Sequence, residues 1–338
     1  MPILPHNPFH RSQPSQAEPP RKLAFVLGGG GPRGALQVGA LRALLEAGIH
    51  PDMLVGTSIG AINGAFLARF GFSEAGLEHL MEVWNDAARG DFAPGDFTRA
   101  MIRTLLPGIK NQGYLAQARA FYARHGLPPH LRFRDLAGPE LYMVAADIQH
   151  HRAVVFGEHP DDPVLDSMLA SAAIPPWLPP MELDGGVMVD GGAVSHLPIE
   201  AALQHGATEI IALDLFHPRP PEKPIQGFLG LLDQVFTTME SRHIELELEL
   251  ARRMQTPVHR WQLRYDHRIA FWDLSQTHNL IHAGYEAAKT YLADMEKTTQ
   301  QIEAASPPSS PEGPLAALRT TLLREMQKLL GRQGRHNR

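Results

Sequence analysis

The chain contains no cysteine. That excludes a disulfide framework, a thiol nucleophile and a cysteine-ligated zinc site, and it fits a reducing compartment. Basic charge is also scarce: 31 Lys and Arg stand against 36 Asp and Glu, a formal net charge of −5. A dedicated nucleic-acid binder usually carries the opposite imbalance, so no nucleic-acid partner is expected. No apolar run reaches the ~18 residues of a spanning helix. The first twenty residues, rich in Pro, Gln, Ser and His, lack the apolar stretch of a signal peptide. The expected location is the cytoplasm, with peripheral contact at a membrane as the further expectation.

What is present suits a globular protein: 338 residues, 43% hydrophobic and 20% charged, enough for one large core or two modest ones. Residues 1–20 read as a disordered arm, because Pro-rich polar sequence buries too little surface to offset its ordering entropy. The apolar run 23–27 is bounded by glycine and reads as a buried strand. Apolar residues at helical spacing follow (Leu36, Val38, Leu41, Leu44 and Leu45), and Gly48 supplies the stop. A second short strand at 53–55 leads into a serine-centred turn and a helix to about Phe70. This βαβα opening predicts an α/β fold with a mainly parallel sheet. Further strands are expected at 141–147, 153–156, 187–190 and 209–215. Helices are expected at 76–88, 164–172, 199–205, 225–253 and 280–295. The folded domain is taken as 21–300. A Pro/Ser-rich linker fills 301–314, and 315–338 is a basic amphipathic segment. That segment pairs Leu315, Leu318 and Leu322 with Arg319, Arg324 and Lys328, a combination suited to an anionic membrane surface or to a partner helix.

Two motifs carry chemistry. Gly56-Thr57-Ser58-Ile59-Gly60 is a G-x-S-x-G pentapeptide, in which a strained turn lifts the serine hydroxyl and flanking glycines let backbones pass closely. Upstream lie four consecutive glycines, Gly28–Gly31, between a strand and a helix. Such a turn presents backbone N–H groups to an anion. Each has a plainer reading: Ser58 as a helix N-cap, and the glycines, with Gly34, as a dinucleotide-binding turn. No acidic residue ends the second strand to hold a ribose, and no Gly-Lys-Ser/Thr follows the glycines. An oxyanion cradle therefore fits better than a nucleotide site, and no metal or cofactor is expected.

A serine nucleophile needs a base. Among 18 histidines, His196, His217, His243, His259, His278 and His282 lie downstream and keep a Ser–Asp–His triad open. Asp-Gly-Gly occurs twice, at 184–186 and 190–192. Glycines after an aspartate let its carboxylate enter a crowded site, although Asp-Gly is also a common turn.

These residues resemble the patatin-like phospholipase family. The resemblance is carried by Gly-Gly-Gly-Pro-Arg-Gly (29–34), Gly-Thr-Ser-Ile-Gly (56–60), Ser-Ala-Ala-Ile-Pro-Pro (171–176) and Asp-Gly-Gly (190–192), spread over about 23–295. It implies a three-layer α/β/α sandwich and a Ser–Asp dyad acting without histidine on lipid or other esters. By position it implies Ser58 as nucleophile and Asp190 as base. The implied oxyanion hole is Gly29, Gly30 and Gly31 with Arg33 nearby, and Gly34, Gly56, Gly60, Gly191 and Gly192 support the turns. Pro32 has no N–H and donates nothing. Asp184 is assigned to the hairpin before the strand that delivers Asp190. Desolvation of Asp190 is expected to raise its pKa toward the working range. The competing functions are a histidine-triad esterase and a non-catalytic lipid-binding or regulatory protein on the same fold. The apolar loop 175–180 is a candidate wall of an acyl pocket.

Overall fold

The computed structural model describes residues 20–90, 112–175, 178–216, 227–267, 269–270 and 273–305. The arm at 1–19, the linker beyond Ala305 and the C-terminal amphipathic segment lie outside these residues, as do His217, Pro176 and Trp177.

The buried run Leu23–Leu27 forms β1, followed by α1 (Gly34–Glu46), β2 (Met53–Thr57), α2 (Ile59–Phe70) and α3 (Glu74–Arg89). After α4 (Gln112–Arg124) come β3 (Glu140–Asp147), β4 (Arg152–Phe156), α5 (Val164–Ser171), β5 (Met181–Leu183) and β6 (Gly186–Asp190). The chain closes with α6 (Ile199–Gln204), β7 (Glu209–Asp214), α7 (Gly227–Arg253), β8 (Val258–Gln262) and α8 (Thr277–Ala305). The strands pair along the path β5-β6-β3-β2-β1-β7-β8, with β4 also on β3. Pairings among β3, β2, β1, β7 and β8 are parallel, and those of β4, β5 and β6 are antiparallel.

Both faces of this sheet are covered, which is why β1 and β2 are apolar without alternation. Leu23, Phe25 and Leu27 face one core, shared with Leu36, Leu41, Phe66, Leu80 and Leu280 of the helices. Ala24 and Val26 face the other, shared with Leu203 of α6 and with Ile244 and Ala251 of α7. The expected three-layer α/β/α sandwich is what the chain adopts. Among the described residues, no helix is long and apolar enough to cross a membrane.

The register of β3 matters most for function. Met143 pairs with Gly56 of β2 on one edge and with Phe156 of β4 on the other. Ala145 pairs with Val154 of β4 and with Asp190 of β6. Since β4 occupies one edge throughout, β2 and β6 share the opposite edge. They approach head to head: β2 ends at Thr57 opposite Val144, and β6 ends at Asp190 opposite Ala145. The C-terminal ends of two strands, 133 residues apart in sequence, thus meet within one residue's rise, about 3.3 Å along β3.

Three elements escape the sequence reading. β5 is only three residues long and β8 carries His259, Arg260 and Gln262, a polar edge strand with little apolar pattern. α4 opens with Gln-Gly and mixes Arg with alanine, so its apolar face is weak. Helix α8 runs to Ala305, past the boundary expected at 300, because the first helix breaker after it is Pro307.

Candidate active site

Ser58 stands between β2 and α2 with φ 56° and ψ −121°, a left-handed conformation that a non-glycine residue adopts at a cost. The turn is held rigidly. The Ser58 N–H donates to Ser171 Oγ at 3.0 Å, and Ser171 Oγ donates to Val144 O at 2.6 Å. The turn also needs its glycines: a Cβ at Gly60 would stand 2.0 Å from Leu27 O, and one at Gly56 2.5 Å from Ala61 N. Ser58 precedes the first residue of α2, where the helix's partial positive charge favours a developing anion.

Asp190 arrives from β6, its N–H donating to Ala173 O at 2.9 Å. Gly191 is obligatory in the following turn, because a Cβ there would stand 2.1 Å from Val144 O. Gly192 donates its N–H to Asp190 Oδ1 at 2.8 Å. Oδ2 is buried without a hydrogen-bond partner among the described residues. Burial pushes the Asp190 carboxyl up to about 6. The nearby Ser58 hydroxyl acts the other way, as do the Gly192 amide and the His196 ring, while Glu240 adds to the rise. The other aspartate, Asp184, sits exposed in the β5–β6 hairpin with φ 50°, away from the serine.

The glycine turn runs from β1 through Gly30, with φ 156°, into a single 3-10 turn, Gly31–Arg33, and then α1. Its amides are not equivalent. Gly28 N–H donates to Leu213 O at 3.2 Å and Gly29 N–H to His196 O at 2.9 Å. Gly29 is thus engaged inside the fold. Arg33 turns its Nε back to Gly30 O at 3.3 Å, and Gly34 packs against Ile59. Gly29 stays close to the serine all the same: a Cβ on it would stand 3.5 Å from Ser58 Cβ.

Beneath the turn lies a buried polar network that the sequence did not signal. Gln37 Nε2 donates to Gly28 O and Leu213 O, and Asn63 Nδ2 donates to Gln37 Oε1 and Gly34 O. Trp84 Nε1 completes it by donating to Asn63 Oδ1 at 2.9 Å. Each buried donor finds an acceptor, which pins the turn against α1, α2 and α3. Ser171 was visible only as part of a motif; its role as the peg of the serine turn is a tertiary fact.

Ser58 also lines a cavity of about 160 Å³. Ile59, Ile62, Leu80, Trp84, Phe121 and Leu169 are among its apolar walls, with Ile174 and Leu178 supplied by the loop after α5. Burial in this wall pushes the Tyr114 phenol up to about 12. Among the histidines, His278 and His282 are exposed on α8, and His259 is paired with Glu209 at the start of β7. His196 alone of the described candidates acts on Asp190.

With this geometry in view, the comparison with known proteins is direct. The family model described as patatin-like phospholipase matches residues 25–203, more than half of the chain. The chain belongs to the patatin-like phospholipase family. The matched span holds the glycine turn, Ser58, Ser171 and Asp190. Patatin-like phospholipase domain-containing protein 7 of Rattus norvegicus is 32% identical over 196 residues, 57% of this chain and 13% of that protein. Lysophospholipase NTE1 of Mycosarcoma maydis is 28% identical over 200 residues, 57% of this chain and 10% of that protein. The chain thus spans only about an eighth of the length of such relatives. Among solved structures, VipD from Legionella pneumophila aligns with a TM-score of 0.42 and 13% identity, covering 82% of this chain and 67% of that one.

Proposed function

We propose that this patatin-like phospholipase family member is a serine lipid acyl hydrolase that cleaves carboxylic esters of phospholipids, lysophospholipids or related lipids through Ser58 and Asp190. The observation that carries this reading is the meeting of β2 and β6 on one edge of β3. It sets a buried, base-capable carboxyl beside a strained serine that also lines an apolar cavity. The relatives named as phospholipase and lysophospholipase support the substrate class.

In this mechanism Asp190 Oδ2 takes the Ser58 proton as Oγ attacks the ester carbonyl carbon. Negative charge gathers on the carbonyl oxygen, where the Gly30 and Gly31 amides and the α2 N-terminus stabilise it. Collapse breaks the bond to the leaving oxygen, which receives the proton from Asp190. Water then repeats the sequence on the acyl-enzyme and frees the acid. A carboxyl raised to about 6 suits this exchange: it is ionised at neutral pH yet basic enough to hold a proton briefly. The acyl chain enters the cavity at Ile59 and Trp84, and the head group remains outside.

The test is hydrolysis of an ester panel, from p-nitrophenyl butyrate to lysophospholipid and diacyl phospholipid, together with labelling by a fluorophosphonate. The expected result is hydrolysis that disappears in Ser58→Ala, with a single adduct on Ser58. Activity retained by a folded Ser58→Ala protein would defeat the reading.

A further inference from the structure

Residues 195 and 196 bond to all three turns of the proposed site through their main chain. The Ser195 N–H donates to Gly191 O at 2.8 Å, closing the turn that follows Asp190. The Ser195 carbonyl accepts from Thr57 Oγ1 at 2.9 Å, and Thr57 immediately precedes Ser58. One residue on, the His196 carbonyl accepts from the Gly29 N–H at 2.9 Å. The aspartate and serine turns also pack closely, since a Cβ at Gly191 would stand 3.0 Å from Thr57 Cγ2. A shift of Ser195 is therefore passed to both halves of the dyad.

The group that holds the Ser195 side chain comes from the sheet face opposite the cavity. Glu247 of α7 lies three residues after Ile244 and four before Ala251, so it shares the helix face that enters the second core. Only 7% of it is exposed. Its Oε1 accepts from the Ser195 hydroxyl at 2.5 Å, and its Oε2 accepts from the Glu200 N–H in the first turn of α6 at 2.9 Å. A buried carboxyl is costly even when hydrogen bonds satisfy it, and burial pushes this one up to about 7 despite those bonds. An apolar side chain at this position would avoid that cost but would leave the Ser195 hydroxyl and the Glu200 amide without their acceptor.

We propose that Glu247 is a positioning residue for ester hydrolysis: by fixing the Ser195 side chain it holds the main-chain bridge between the Asp190 turn and the Ser58 turn, and so sets their alignment. The proposal rests on the Ser58–Asp190 reading. Glu247 acts through Ser195 and takes no part in the proton transfer.

The experiment is steady-state hydrolysis of p-nitrophenyl butyrate by the full chain and by Glu247→Leu, Glu247→Gln and Ser195→Ala, each checked for folding by circular dichroism. Glu247→Leu and Ser195→Ala should each lower kcat by about tenfold or more with KM little changed, because misaligned reacting groups lose turnover rather than binding. The double variant should lose no more than the worse single one, since both remove the same link. Glu247→Gln should keep most of the wild-type kcat, because the Ser195 hydroxyl can accept from the amide as well as donate to a carboxylate. Unchanged kcat in folded Glu247→Leu overturns the proposal, as does a double variant in which the two losses multiply. A Gln variant as impaired as the Leu variant overturns it too, since the hydrogen bonds would then not be what matters. If Glu247→Leu does not fold, Ser195→Ala decides by the same split between kcat and KM. Hydrogen exchange reads the bridge without any chemistry: the Ser195 and Gly29 amides should exchange faster in Glu247→Leu, and unmoved exchange overturns the proposal. Hydrolysis retained by folded Ser58→Ala in the same assay would overturn the dyad reading instead.

Discussion

Asp190 is costly to the fold for the same reason that it suits the proposed catalysis. Burial raises its carboxyl from 3.8 to about 6, so the folded state holds that proton more tightly than the unfolded chain does. Stability is therefore lost as pH climbs from about 4 to 6, and the deficit persists above that range. Asp190→Asn removes the buried charge. It should abolish ester hydrolysis yet raise Tm at pH 8 by a few degrees, at most about 3 kcal/mol, with no gain at pH 3. Calorimetry at the two pH values measures this, and a lower Tm at pH 8 would contradict the assigned shift. In the wild type the same group should set an ascending limb of kcat/KM near pH 6, read on a soluble ester.

At the scale of elements, α1 and α8 approach each other backbone to backbone. A Cβ at Gly39 of α1 would stand 1.9 Å from Ile281 O, and one at Gly284 of α8 would stand 1.9 Å from Leu36 O. Each helix presents a glycine to the other's backbone, and backbone cannot swing aside as a side chain can. Gly284→Leu should force the helices apart and lower stability by about 2–3 kcal/mol, measurable by urea denaturation. An unchanged midpoint would mean that the crossing is looser than these distances require. α1 was legible from its apolar spacing, and α8 in outline. Their contact was not, because a glycine in a helix signals close approach without naming its partner. β5 and β8 were missed for a related reason: a three-residue strand and a polar edge strand earn their hydrogen bonds from neighbours already in place, not from their own pattern.

Over the whole molecule, the two faces of the sheet divide the work. One carries the apolar cavity among α2, α3, α4 and α5; the other carries α7, whose Glu240 and Glu247 reach the loop after Asp190. Substrate length should thus be set on the first face alone. Ala118 of α4 lines the cavity, and Ala118→Phe fills part of it. The expected outcome is a fall of about tenfold or more in kcat/KM for long-chain p-nitrophenyl esters, with butyrate little changed. Equal loss on every chain length would place the acyl group elsewhere.

The sequence by itself determined the local devices. Gly-Thr-Ser-Ile-Gly specifies a strained turn, the glycine run specifies a backbone cradle, and the apolar runs specify buried strands, because each follows from φ/ψ sterics and burial within a few residues. It also marked Asp190 and Asp184 as alternatives, with the strand before Asp190 favouring the former. Only tertiary structure decided how these pieces meet. The shared edge of β3 brings Asp190 to Ser58, Ser171 pegs the serine's amide, and the His196 carbonyl takes the Gly29 N–H. Of the histidine candidates among the described residues, His196 is the one that folding brings near enough to act electrostatically on the aspartate. Strand register and these contacts are set by packing between residues far apart in the chain, and no local pattern encodes them.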